Sequence, residues 1–151
     1  MISAGKCLFL SDEQSLIMVI QQKIVLSFAE ITLVKDKIVC VDYLNEEPVN
    51  VEKGIKLFET IQKLSNQEPC AIIHNVGDKY IFTTDALRFM ASQLDKENHK
   101  YLARAIVATN AATRIAGNNF IKLYKPLIPT KLFLEFEPSV AWLDEILASK
   151  K

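Results

Sequence analysis

The chain has 151 residues, half of them hydrophobic, with 18 Lys plus Arg against 18 Asp plus Glu. That length suits one domain with a substantial core, and a formal net charge of zero gives no global field to gather nucleic acid or an anionic membrane, so partners must be recognised locally. The three cysteines, Cys7, Cys40 and Cys70, are odd in number and lack a CxxC pair, which fits a reducing cytoplasm better than a disulfide framework and offers no metal-ligand spacing.

In chain order, the apolar runs "KCLFL" and "LIMVI" are interrupted by "SDEQS". Neither approaches the roughly 20 residues that cross a bilayer, and no small-residue cleavage site follows, so neither an integral membrane segment nor secretion is expected. A coherent pattern starts near Gln21, which leaves residues 1–20 as an appendage or a misassigned start and residues 21–151 as the domain. From Lys23 to Tyr43, two β-branched runs joined by Lys35-Asp36-Lys37 read as a hairpin. After a turn at residues 45–48, Asn50 can cap an amphipathic helix with Val51, Ile55, Phe58, Ile61 and Leu57 or Leu64 inward. "CAIIHNV" (residues 70–76) is a nearly continuous apolar run typical of a strand covered on both faces, and Cys40 and Cys70 in such runs serve as small buried hydrophobes.

"FTTDALRF" (residues 82–89) then opens a second helix with Leu87, Met90, Ala91 and Leu94 inward, followed by a charged, solvated connection that contains His99. "LARAIVAT" (residues 102–109) is the next strand. Asn110 can cap a helix whose buried side would be Ala112, Ile115, Ala116, Phe120 and Leu123, and Pro126 and Pro129 end it. "KLFLEF" (residues 131–136) is a final strand, and Pro138 at a first helical turn opens a closing helix with Val140, Leu143, Ile146 and Leu147 inward. The order ββαβαβαβα predicts an α/β single domain: a mixed, mostly parallel sheet of about five strands with flanking helices. Ligands and partners of such sheets approach the carboxyl ends of the strands, which singles out the junctions at residues 76–85, 109–113 and 136–139.

The chemistry-bearing residues point away from catalysis. No GxSxG, HExxH or paired catalytic carboxylates occur, and Gly54 and Gly117 stand singly, so no phosphate-cradling loop and no cofactor or metal is expected. His74, in an apolar strand without a neighbouring nucleophile or carboxylate, reads as a core histidine. Thr83, Thr84 and Asp85 read first as a helix cap. Their functional alternative is a phospho-switch or partner site, because a phosphate there would add charge beside the positive end of the helix dipole. Arg114, Lys122, Lys125 and Lys131 flank the third helix and the Pro-rich turn; Lys122 and Lys125 suit a helix C-terminus, and together the four are candidate anion contacts. Leu127 and Ile128, between the prolines, read as a core plug.

The segment "RIAGNNFIKLYKPLIPTKLFLEFEPSVAWL" (residues 114–143) resembles an uncharacterised bacterial family of STAS/SEC14-like domains through Lys125, Pro126, Pro129, Thr130, Lys131, Leu132, Phe133 and Trp142. The likeness reaches more loosely back to Lys23. It implies a fold similar to anti-sigma-factor antagonists of the SpoIIAA type, which bind a kinase partner and are phosphorylated on a hydroxyl at the start of the helix after the third strand. Thr83-Thr84-Asp85 occupies that position, but the antagonists' D-S-x-G pattern is absent and no glycine follows the hydroxyls, so the fold carries over more directly than the regulation. Two functions follow. The first is a noncatalytic interaction or regulatory module with a protein partner, its surface formed by residues 76–85 and the helix from Thr84. The second is a small apolar-ligand or lipid carrier with a pocket near Phe89, Met90, Phe120 and Tyr124, for which weak lipid or anion binding would follow.

Overall fold

In the computed structural model, which describes residues 22–44, 48–77, 82–96 and 100–150 (backbone only for 93–96), the run from Lys23 makes three strands rather than the expected two. Ser27 and Phe28 break it: the Leu26 N–H reaches the Ala29 carbonyl at 2.8 Å, closing a tight turn. The strands are β1 (Lys23–Val25), β2 (Ala29–Lys35) and β3 (Ile38–Tyr43), with Lys37 at φ 72° turning β2 into β3. The remainder alternates: α1 (Val51–Leu64), β4 (Cys70–Gly77), α2 (Thr84–Lys96), β5 (Tyr101–Ala108), α3 (Ala111–Tyr124), β6 (Thr130–Phe133) and α4 (Phe136–Ser149). Expectations placed on residues 1–20, on His99 and on the Leu94 side chain lie outside the described residues.

The six strands lie side by side in sequence order, β1 to β3 antiparallel and β3 to β6 parallel. Because each crossover from β3 onward steps the same way, the right-handed rule sends α1, α2 and α3 to one face. There they cover Ile31, Val39, Val41, Ile72 and Ile106 with Leu57, Phe58, Ile61, Met90 and Phe120. The opposite face is left for α4, whose Val140 and Leu143 pack on Ile38, Cys40, Ile73 and Val107. Ala71, Ala103 and Ala105 on that face are fully buried, and their small side chains let α4 lie close.

Local chemistry sets the helix ends. Asn50 and Asn110 accept the N–H of Lys53 and Thr113, each at 2.9 Å, as N-caps. The last helix starts at Phe136, earlier than the proline alone suggests; Pro138 sits inside the first turn, where its missing N–H costs nothing. One expected helix face is rotated. In α1, Leu57, Phe58 and Ile61 are buried as expected and only Ile55 is 43% exposed, whereas α3 turns Thr113, Gly117 and Phe120 inward while Ile115 (60%) and Leu123 (74%) face out. The cause in α3 is close approach: a Cβ on Gly117 would come within 2.7 Å of Leu132 Cδ1 on β6. Of the expected plug, Ile128 is buried and Leu127 is exposed.

Candidate functional site

Strand alternation puts Tyr43, His74 and Arg104 on the three-helix face, at neighbouring positions of β3, β4 and β5. The Tyr43 hydroxyl and His74 Nδ1 are hydrogen-bonded at 2.8 Å, and the Arg104 guanidinium lies 4.9 Å over the Phe120 ring. Burial, and then the Arg104 charge, hold the His74 imidazole well below its usual range, so it is neutral at physiological pH. His74 and Arg104 line a cavity of about 30 Å³ walled by Val76, Phe82, Leu87, Met90, Ile106 and Phe120. That is about a tenth of the ~300 Å³ at which small-molecule pockets begin. His74 is thus a core histidine. Arg104, 2% exposed, escaped sequence reasoning; its signal was a cation at an inward position of an apolar strand. The buried Cys70 thiol is pushed up to about 11 by burial, with Ser65 lowering it slightly, which is the opposite of nucleophile activation.

The described residues of all three junctions expected to carry function lie at the carboxyl edge of the sheet. An open groove of about 690 Å³ runs along that edge between the ends of β3, β4 and β5 and the start of α4, lined by Tyr43, Leu44, Asn75, Thr109, Leu134 and Glu137 among others. Leu44 and Leu134 are 36% and 54% exposed there. Gly77, at φ 58°, turns the chain out of β4, and its carbonyl accepts from the Thr109 N–H at 3.0 Å and from Thr113 Oγ1 at 3.2 Å, tying α3 to the edge. On the groove side of the sheet, Asn75 Nδ2 donates to Asp42 Oδ1 at 2.7 Å.

Thr83, Thr84 and Asp85 sit beside the groove rather than in it. The Thr83 N–H donates to the Val49 carbonyl at 3.1 Å, docking the start of α2 against the start of α1. Thr83 Oγ1 accepts the Ala86 N–H at 3.1 Å, so Thr83 is the cap. Thr84 and Asp85 are exposed, and Asp85 makes a 3.5 Å ion pair with Arg88. The four basic candidates do not converge. Lys131 is on the α4 face, its Nζ 5.4 Å from the Phe133 ring centroid and 6.0 Å from that of Trp142. Arg114, Lys122 and Lys125 belong to α3 and its cap; Arg114 Nε bonds the Asn110 carbonyl at 3.3 Å.

A family profile described as "Domain of unknown function (DUF7793)" matches residues 32–147, the whole α/β unit from β2 into α4. The chain belongs to the DUF7793 family. This DUF7793 domain is similar to a crystal structure of an uncharacterised DUF3478-family protein from Shewanella loihica PV-4 described as having a SpoIIAA-like fold. The TM-score is 0.56 at 11% identity, over 76% of this chain and 91% of the other. The DUF7793 chain therefore has a SpoIIAA-like fold, as the residue pattern and the resemblance implied. No curated protein matches it. Among the described residues, no helix is long and apolar enough to cross a membrane.

Proposed function

We propose that this DUF7793 domain is a noncatalytic regulatory module that binds another protein through the carboxyl edge of its sheet. The observation that carries the reading is the contrast in size: a groove of about 690 Å³ with exposed Leu44 and Leu134 at its rim, against a pocket of about 30 Å³ between the sheet and the helices. A filled interior speaks against a carrier, and a neutral, buried His74 with a buried, raised Cys70 speaks against acid, base or nucleophile chemistry. The recognition surface takes in the groove and the adjoining start of α2. If a hydroxyl there is phosphorylated it is Thr84, since Thr84 is exposed while Thr83 Oγ1 is engaged in the cap.

The test is quantitative affinity capture with wild type, a Leu44→Glu/Leu134→Glu variant and a Thr84→Ala/Asp85→Ala variant, all checked for unchanged thermal melting. Partners captured by wild type should be lost with the groove variant and weakened with the second. Equal capture by all three proteins would sink the reading.

A further inference from the structure

Residues 101–134 contain five basic residues and no acidic one, so the rest of this neutral chain carries five acids in excess. The fold gathers part of that charge at one place. Helix α3 runs antiparallel to the strands and delivers its C-terminal end, with exposed Lys122 and Lys125, to the amino edge of the sheet, far from the carboxyl-edge groove. Around these lysines project Leu123 (74% exposed), Leu127 (67%) and, a turn or two back on the same helix, Ile115 (60%). They are the three most exposed large hydrophobic side chains among the described residues.

Charge complementarity requires an anionic partner. A protein partner would bury its contact residues in a packed core, from which lysine is characteristically depleted. At a bilayer surface the same mixture is favourable: aliphatic tips enter the acyl boundary while lysine stems snorkel to the phosphates. We infer that the outer face of α3 and its following turn, through Ile115, Lys122, Leu123, Lys125 and Leu127, is a peripheral docking surface for an anionic phospholipid bilayer.

Lysine at position 125 adds to the case: it holds a left-handed C-cap conformation, φ 44°, where glycine is the unstrained residue. Its charge stands at the cost of local strain.

The experiment is co-sedimentation with vesicles of phosphatidylcholine alone and with about one-third phosphatidylglycerol, at low and high salt. Wild type should bind only the anionic vesicles and release at high salt. Lys122→Gln and Lys125→Gly should each weaken binding about fivefold, and the pair about thirtyfold. Leu123→Ser/Leu127→Ser should weaken it with charge unchanged. Lys131→Glu, on the opposite face, should leave it intact. All five sites are exposed and each variant is verified by its melting curve. Absence of binding to anionic vesicles, or a loss with Lys131→Glu equal to that with the α3 variants, overturns the proposal. So does binding to soluble polyglutamate without binding to vesicles, which would assign the face to an acidic protein. None of these results bears on the groove, so the carboxyl-edge reading stands or falls separately.

Discussion

Thr83 shows how one side chain can be bound by structure while its neighbour stays available. Its hydroxyl satisfies an amide at the start of α2 that no carbonyl of the helix can reach. Thr83→Ala should cost about 1 kcal/mol in urea unfolding, with Thr83→Ser close to wild type, whereas Thr84→Ala should stay within about 0.5 kcal/mol. His74 makes a second residue-scale prediction. The unfolded chain takes up a proton at His74 as pH falls through 6.5, while the folded chain refuses it because burial and Arg104 depress the native value. Its contribution to stability is therefore fully present above pH 6.5 and declines as pH falls below it. Urea midpoints measured from pH 7.5 downward should drop more steeply for wild type than for His74→Gln; identical slopes would contradict the assignment. That Tyr43 pairs with His74 could not be seen in the sequence, since the two residues meet only through the register that sets Val41 beside His74.

At the scale of elements, most strands, the caps and the inward faces of α1, α2 and α4 were legible, and the rotation of α3 was not. "CAIIHNV" and "LARAIVAT" became β4 and β5 within a residue or so, and Asn50 and Asn110 cap as their chemistry demands. The face of α3 was misread because periodicity gives weight to Ile115 and Leu123 and none to Gly117. Yet the glycine favours this rotation, because a Cβ there would press on Leu132 Cδ1 and force that side chain to move. The hairpin was undercounted for a similar reason: Phe28 reads as part of an apolar run but lies in the turn between β1 and β2. The candidate anion contacts were visible as residues and not as a site, since Lys131 alternates to the far side of the sheet. The C-cap of α3 yields an element-scale prediction. Lys125→Gly should stabilise the protein by about 1 kcal/mol, read as a raised melting temperature, because glycine adopts the left-handed conformation without a Cβ penalty.

For the whole molecule, the asymmetry of the sandwich matters most. Among the described elements three helices share one face, and α4 shields Ile38, Ala71, Ile73, Ala103, Ala105 and Val107 on the other. Removing residues 136–151 should abolish cooperative thermal unfolding and yield aggregating protein, while the milder Leu143→Ala should cost about 2–5 kcal/mol with a single transition retained. A soluble, cooperatively melting truncation would show that the three-helix face suffices.

The strand order carries a consequence for synthesis. Every strand pairs with the one made just before it, so no segment has to wait for a distant partner, and the sheet can grow in the direction in which the ribosome releases it. Among the described elements, α4 departs from that rule, folding back across β4, β5 and β6 after all are in place. A nascent chain paused just before Phe136 would hold a finished sheet with one apolar side still waiting for α4, and that is the moment at which this protein would most need a chaperone.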